Sequence, residues 1–215
     1  MSSSPPGASP PGASPPGAAR RPPHAVGRPG LLIVISGPSG VGKDTLIKRL
    51  LELDRDLRYS VSYTTRAPRP GEVDGVNYHF VSRDEFERLI REGAFLEHAT
   101  YDGNLYGTPI AQLDKVRQAG HDVVLKIDVQ GAEQVRKRAP DALRIFLAPP
   151  SMDELQRRRT ERHSENARDQ AARHVIAERE MELASHFDHV VVNDDLDRAV
   201  GEVLAIIQKA RSRQT

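Results

Sequence analysis

The stretch that decides the fold is Leu31-Leu-Ile-Val-Ile35-Ser-Gly37-Pro-Ser-Gly-Val-Gly42-Lys43-Asp44-Thr45, near the start of a 215-residue chain. Its apolar, β-branched beginning is typical of a strand that is buried on both faces. The glycines let consecutive backbone N–H groups turn around a phosphate, and Lys43 can reach the same anion. A helix predicted over residues 45–53 follows. This order indicates a P-loop, with a glycine-rich turn of no function as the alternative.

The residue after Lys43 is Asp44, where a P-loop ordinarily carries the serine or threonine hydroxyl that binds Mg²⁺. A carboxylate also binds hard cations well, although it adds negative charge beside a polyphosphate. Thr45 offers a hydroxyl one position later. Asp44 and Thr45 therefore remain alternative Mg²⁺ ligands.

Strands and helices alternate beyond the loop, which predicts an α/β fold with a parallel sheet. Further strands are predicted at residues 121–127, 143–147 and 189–192. Thr108 is expected to cap a helix that Pro109 opens and Gly120 ends. Ser151 and Glu154 form a capping box for another helix, and a last helix is expected from about residue 195 to about residue 211.

Two segments depart from this alternation. Residues 60–106 are rich in Tyr, Thr, Gly and Pro and contain short alternating runs at 60–65 and 78–81, which predicts a small β-rich insert. Residues 156–173 carry many arginines and hardly any apolar face. Such a segment buries little surface, so it is expected to be either a solvated helix or a mobile flap.

The first 29 residues form a separate region, a Pro/Gly/Ser tail that repeats SPPGA from Ser4 to Ala18. Nothing larger than Ala is available for burial in the repeats, so we expect the tail to be disordered, with a docking motif as the alternative. It holds three arginines and no acid, which leaves 28 basic and 30 acidic residues in 30–215. The positive charge therefore lies in the tail, which argues against a folded nucleic-acid-binding domain.

The chain has no cysteine, so disulfides, thiolate metal sites and cysteine nucleophiles are excluded. No apolar run approaches the length of roughly 20 residues that a membrane helix needs, and residues 1–29 lack the apolar core of a signal peptide. We therefore expect a cytoplasmic protein without a membrane partner. The sequence makes no prediction of oligomeric state.

The chain resembles guanylate kinase from about residue 31 to about residue 208, in the strings GPSGVGK, SVSYTTRAPRPGE, VNYHFVS, FLEHATYDGNLYGT, LKIDVQG, APPS and VVNDD. The resemblance implies a P-loop kinase core, a β-rich GMP-binding insert and a helical lid at about 156–180. It implies the reaction of ATP and GMP to ADP and GDP, with Mg²⁺ bound to ATP. The domain would then occupy residues 30–215.

The resemblance also implies an acceptor site. Guanine presents the acceptor O6 beside the donors N1–H and N2–H₂, so its recognition needs a carboxylate and a hydroxyl. Two guanidiniums near Pro68 are suited to one phosphate, although a solvated charge pair is the alternative. Glu72 fits a turn-capping acid equally well. For Glu97, an ordinary exposed acid on a strand is the less favoured alternative. The implied GMP-binding residues are Ser62, Arg66, Arg69, Glu72, Tyr78, Glu97, Tyr106, Thr108 and Asp128.

On the donor side, the implied ATP-binding residues are Gly37, Pro38, Ser39, Gly40, Val41, Gly42, Lys43, Asp44, Thr45 and Asn193. The implied catalytic residues are Lys43 and the lid arginines Arg158, Arg162 and Arg173. Cations around the moving phosphoryl group are the main protein contribution to phosphoryl transfer. The neighbouring Arg157 and Arg159 are interpreted as surface charge, with a catalytic role as the alternative.

Three positions at strand ends need separate comment. Asp128 fits an acid near Mg²⁺ at the carboxyl edge of the sheet. Some family members carry a second acid two residues earlier, where this chain has Lys126. Asn193 matches a family position near adenine, but asparagine also commonly ends strands and caps helices.

Two other functions fit parts of this pattern. A guanylate-kinase-like module that binds a phosphorylated peptide would be expected to lack Lys43 or the lid arginines and to be joined to other domains. A P-loop kinase for a phosphorylated sugar would have no use for Ser62, Glu97 and Thr108. The chain keeps both sets of residues, which favours the nucleotide kinase.

Overall fold

The computed structural model describes residues 29–101, 103–162 and 167–214, with the backbone alone at residues 159, 161, 162 and 167–174. Nearly all of the tail, residues 1–28, lies outside the described residues, so its expected disorder stays a prediction. None of the helices in the described ranges combines the length and apolar character needed to cross a bilayer.

The core is a five-stranded parallel sheet in the order β2-β7-β1-β8-β9, which confirms the predicted α/β class. Its strands are β1 (Leu32–Ser36), β2 (Leu57–Tyr59), β7 (Asp122–Lys126), β8 (Leu143–Ala148) and β9 (His189–Val192). The helices around it are α1 (Lys43–Leu53), α3 (Ile110–Gln118), α4 (Val129–Arg138), α5 (Met152–Arg162), α6 (Ala167–Glu182) and α7 (Leu196–Arg213), with a 3₁₀ turn at Leu183–His186.

Both faces of β1 are buried, which explains its continuous apolar sequence. Ile33 and Ile35 pack with residues of α1 and α7 on one face. Leu32 and Val34 pack with residues of α3 and α4 on the other face. Full burial of each such side chain stabilises the fold by roughly 1.5–3 kcal/mol, so this packing fixes the strand that leads into the P-loop.

A second sheet of four strands, in the order β4-β3-β6-β5, accounts for the insert. Its strands are β3 (Tyr63–Thr64), β4 (His79–Phe80), β5 (Phe95–Tyr101) and β6 (Asn104–Pro109), with α2 (Arg83–Arg91) between β4 and β5. Phe86 of α2 packs against Phe95 and Leu105. The sequence analysis did not predict α2, because Phe86 is the one fully buried residue in a short, highly charged helix.

Two local predictions are wrong. The first helix begins at Lys43, two residues before its predicted start, so Asp44 lies in its first turn. Thr108 does not cap α3, because β6 continues to Pro109, which occupies the cap position without a side-chain hydrogen bond. The Ser151 hydroxyl does accept a hydrogen bond from the Glu154 backbone N–H (3.1 Å), as expected for the helix that follows.

Candidate active site

The P-loop lies at the carboxyl end of β1, between the sheet and α1. Gly37 has φ +140°, and a Cβ there would lie 2.2 Å from the carbonyl oxygen of Leu147. Gly42 has φ +103°, and a Cβ there would lie 2.6 Å from Nδ2 of Asn193. Both positions therefore require glycine, and together they let the loop turn tightly into α1.

Lys43 is folded against its own loop. Its Nζ donates to the carbonyl oxygens of Gly37 (2.5 Å) and Pro38 (3.1 Å). Burial lowers the pKa of the Lys43 ammonium to about 8, against the opposing charges of Glu180, Asp44 and Asp128. The group is therefore still cationic near neutral pH, at the positive end of α1, where an anion is stabilised.

Asn193 joins the P-loop to the end of β9. Its buried side chain donates from Nδ2 to the carbonyl oxygen of Val41 (2.8 Å), and its backbone N–H donates to Ala148 (2.8 Å). It ends the strand as predicted, but Asp195 caps α7. Asn193 thus stabilises the P-loop through the Val41 carbonyl, a role that was not predicted from the sequence.

Arg158 is held at the base of the arginine segment. Its guanidinium donates to the Glu154 carboxylate (2.8 Å) and to the carbonyl oxygen of Asn193 (3.0 Å). Arg157 pairs with the same carboxylate, but its side chain is 63% exposed, as expected for surface charge. The side chains of the other two predicted lid arginines, Arg162 and Arg173, lie outside the described residues.

Glu97 and Thr108 form a buried pair on the paired strands β5 and β6. The Thr108 hydroxyl donates to Oε1 of Glu97 (2.6 Å), and the two residues are 0% and 3% exposed, respectively. Burial raises the pKa of the Glu97 carboxyl to about 7; the Asp128 charge adds to this effect, and the Thr108 hydrogen bond opposes it. The interpretation of Glu97 as an exposed acid is therefore wrong.

Ser62 lies beside this pair. It is buried and directly precedes β3, whose Tyr63 pairs with Gly107, the residue before Thr108. Its own backbone carbonyl accepts from the N–H of His79 in β4. The three residues expected to recognise guanine are thus grouped on adjacent strands of the second sheet.

Arg66, Tyr78 and Tyr106 form a second group in the insert. The Arg66 guanidinium lies 5.5 Å from the centre of the Tyr78 ring, and the rings of Tyr78 and Tyr106 are 5.9 Å apart. Glu72 accepts from Arg66 (2.8 Å) and from the backbone N–H of Arg69 (2.8 Å). Glu72 therefore shapes the turn, as in the turn-capping interpretation, and also fixes Arg66, while its role in nucleotide binding stays a prediction.

Arg66 and Arg69, the two arginines predicted to bind phosphate, differ in their exposure and contacts. The Arg66 side chain is 14% exposed and paired, so it is not part of a solvated charge pair. Arg69 is exposed, and it is its backbone N–H that contacts Glu72. Arg66 is thus pre-positioned for an anion, whereas the Arg69 side chain is held less closely.

Asp128 and Lys126 lie at the carboxyl end of β7, next to the P-loop. Asp128 caps α4 by accepting from the N–H of Gly131 (2.7 Å), and its charge acts on both Lys43 and Glu97. Lys126 donates from Nζ to Oδ1 of Asp44 (2.5 Å). The sequence analysis noted both unusual residues but missed their pairing; their opposite charges at one sheet edge were the available signal.

A P-loop at the carboxyl edge of a parallel sheet, a helical arginine segment and a second sheet with an arginine and tyrosine cluster define a P-loop kinase. A sequence model described as guanylate kinase matches residues 30–210. The chain belongs to the guanylate kinase family and is an enzyme, which confirms the resemblance found in the sequence.

Individual relatives agree with the family match. The chain is 50% identical over 182 residues to a guanylate kinase of Rubrobacter xylanophilus, covering 85% of this chain and 95% of the relative. It is 48% identical over 189 residues to a guanylate kinase of Caldanaerobacter subterraneus, covering 88% and 92%. The crystal structure of guanylate kinase from Anaplasma phagocytophilum is similar with a TM-score of 0.71 at 35% identity, covering 86% of this chain and 87% of that chain.

Proposed function

We propose that the protein transfers the γ-phosphoryl group of Mg-ATP to GMP, giving ADP and GDP. The observation that carries the choice of acceptor is the buried pair of Glu97 and Thr108. An ionised Glu97 would accept from N1–H and N2–H₂ of guanine, and the Ser62 hydroxyl would donate to O6, while the single O–H of Thr108 holds Glu97 in place. Adenine has a lone pair at N1, so AMP would leave the buried carboxylate without a donor from the base.

Arg66, Tyr78 and Tyr106 are the groups proposed to bind the GMP phosphate, with Arg69 approaching from the exposed side of the turn. A guanidinium and phenol hydroxyls are donors of the kind that phosphate oxygens accept. Glu72 holds Arg66 at 2.8 Å, so the guanidinium loses little side-chain entropy when it binds the anion.

On the donor side, the backbone N–H groups of residues 37–45 would surround the phosphates, and Lys43 would contact the transferred group. Arg158 approaches the same loop through its hydrogen bond to Asn193, and Arg162 and Arg173 complete the proposed lid set. In-line transfer between two bound nucleotides needs positioning and charge stabilisation but no covalent intermediate. The Asn193 amide would act by bracing the loop, close to the adenine side of the site.

The donor set at the start of α1 suits Mg²⁺, which needs only one or two protein oxygens when it is bound with ATP. Asp44 is 76% exposed and offers a carboxylate, and the exposed Thr45 offers a hydroxyl one position later. Across the described residues, no group of three or more His, Asp or Glu side chains is arranged to hold a metal by itself. When bound, Mg²⁺ would neutralise part of the triphosphate charge.

Substitution of Asp44 shows which of the two candidate ligands, Asp44 or Thr45, binds Mg²⁺. If Asp44 contacts the cation directly or through water, Asp44→Ala raises the Mg²⁺ concentration needed for half-maximal rate, whereas Asp44→Ser retains activity because it restores the usual hydroxyl. The Mg²⁺ dependence of the initial rate, and of ATP affinity measured by calorimetry, gives the comparison. An unchanged dependence in Asp44→Ala would assign the role to Thr45.

The activity itself is tested by an assay that couples ADP release to a measured signal, with GMP, AMP, UMP, CMP and ribose phosphates as acceptors. We expect rapid ADP release with GMP and a far lower efficiency with AMP. Equal efficiency with AMP would contradict the assignment of Glu97, and activity with a ribose phosphate alone would replace the proposed function. The expected cytoplasmic location stays a prediction.

A further inference from the structure

Lys126 and Asp44 form an ion pair between two elements that both border the site. Nζ of Lys126 lies 2.5 Å from Oδ1 of Asp44, and their side chains are 20% and 76% exposed, respectively. Lys126 ends β7, where it lies beside Ile35 of β1, and Asp44 is in the first turn of α1. The pair therefore spans the carboxyl edge of the sheet directly beside the P-loop.

The same ammonium also faces the insert. Nζ of Lys126 is 5.8 Å from the centre of the Tyr78 ring, and the Arg66 guanidinium is 5.5 Å from the centre of that ring. Burial raises the pKa of the Tyr59 hydroxyl at the end of β2, and the nearby Lys126 charge opposes this rise. Tyr78 is thus approached by two cations, one from the insert and one from the core sheet.

We propose that Lys126 is a phosphate-binding residue of the acceptor site, contacting the GMP phosphate from the core sheet while Arg66 contacts it from the insert, with Asp44 as its counter-ion. This inference rests on the proposed function, because it takes GMP as the acceptor. It assigns a binding role to a position at which some members of the family carry an acid.

The chemistry of the ammonium supports this role. A lysine side chain has three N–H donors, and Lys126 directs one of them to Asp44. A further donor can therefore reach a phosphate oxygen without loss of this contact. The ion pair with Asp44 also fixes the direction of a side chain that would otherwise lose much rotamer entropy on binding.

Charge balance explains why the two unusual residues occur together. Asp44 adds a negative charge beside the phosphates, which would repel both nucleotides if it were unpaired. Lys126 supplies the compensating charge at 2.5 Å, so the pair is neutral.

The alternative is that Lys126 serves only to neutralise Asp44. The two roles differ in a double variant, because Asp44→Ser with Lys126→Met removes both charges together. If Lys126 only neutralises Asp44, the double variant regains the GMP affinity of the original protein. If Lys126 binds the phosphate, the loss of affinity persists in the double variant.

The test is isothermal titration calorimetry of the full chain with GMP and with guanosine, in the absence of ATP and Mg²⁺. We expect about a tenfold or greater loss of GMP affinity in Lys126→Met and in the double variant, because a charge-assisted hydrogen bond to phosphate is lost. Guanosine affinity should stay unchanged in both. Lys126→Arg should retain most of the GMP affinity, and Lys48→Met, an exposed lysine on α1, should retain all of it.

Restored GMP affinity in the double variant, or equal losses for GMP and guanosine, would overturn the proposal. The melting temperature of each variant shows whether the fold is kept, and Lys126→Gln is a second neutral variant if Lys126→Met unfolds. Failure of the proposed function would be visible separately, because the unsubstituted protein would then bind GMP no more tightly than AMP.

Discussion

The donor and acceptor regions of this enzyme are built in different ways. The P-loop depends on backbone: Gly37 and Gly42 adopt positive φ, and the loop continues directly from a buried strand into α1. The acceptor region depends on side chains carried by short strands, with the Glu97 carboxylate at its centre. One region therefore presents amide groups whose chemistry is the same in every sequence, whereas the other presents particular functional groups.

This difference predicts which step or nucleotide each substitution should affect. Changes on the donor side should affect phosphoryl transfer and ATP, and changes on the acceptor side should affect GMP with little effect on ATP. The two regions meet at the carboxyl edge of β7, where Asp128 acts on both Lys43 and Glu97. Substitutions confined to one region therefore test whether the two regions act separately.

The largest effect is expected from Lys43→Met. Removal of the ammonium that we propose to contact the transferred group should lower kcat by about 10³-fold, because charge stabilisation is the main contribution of the protein to this reaction. GMP affinity measured by calorimetry should change little. Lys48→Met is the matched control on the same helix. A loss of GMP affinity equal to the loss in kcat would show that the two regions are not separable.

An intermediate effect is expected from Glu72→Ala. Without its carboxylate, Arg66 is no longer fixed beside Tyr78, so KM for GMP should rise about tenfold while kcat and KM for ATP stay nearly constant. Steady-state kinetics with each nucleotide varied gives this split, and Glu72→Gln should recover part of the loss. Glu87→Gln, also in the insert, is the control. A fall in kcat alone would contradict the positioning role.

A smaller effect is expected from Asn193→Ala, which removes the hydrogen bond to the carbonyl oxygen of Val41. One such bond is worth a change of about threefold to tenfold in an equilibrium, so KM for ATP should rise by that amount. GMP affinity should be unaffected. If GMP binding weakened as well, the Asn193 hydrogen bond would support the whole site and not the P-loop alone.

Much of the fold follows from the sequence because its signals are local. The apolar run of β1 and the glycine pattern predict the central strand and the P-loop. The short edge strand β2 (Leu57–Tyr59) was missed, because three residues carry too little alternation. The insert was predicted to be β-rich, but its helix α2 was not predicted.

The site was harder to predict because its contacts join distant parts of the chain. Asn193 lies 152 residues from Val41, and Lys126 lies 82 residues from Asp44, so no local pattern predicts either contact. The burial of Glu97 also depends on the packing of β5 against α4, a helix from a later part of the chain. The assignment of the acceptor residues came from the family resemblance, and the geometry adds which of them touch each other.

The raised pKa of Glu97 lowers the free energy of unfolding at neutral and alkaline pH. Its folded pKa of about 7 exceeds the unfolded value of 4.5, so the native state binds more protons between these values and the free energy of unfolding falls as pH rises through that window. Above pH 7 the full cost, roughly 3 kcal/mol, is present. Glu97→Gln should therefore unfold at a higher temperature than the original protein near pH 8.

The most direct test of the account is the GMP dissociation constant of the original protein and of Glu97→Gln, measured by calorimetry from about pH 6 to about pH 9. GMP phosphate itself titrates near pH 6, but this affects both proteins equally, so the ratio of the two constants isolates Glu97. The account predicts that the original protein binds GMP about 10²-fold more tightly above pH 7, and that this advantage shrinks as pH falls and the carboxylate is protonated. Equal affinities, or a ratio that does not depend on pH, would contradict the claim that an ionised, buried Glu97 selects guanine.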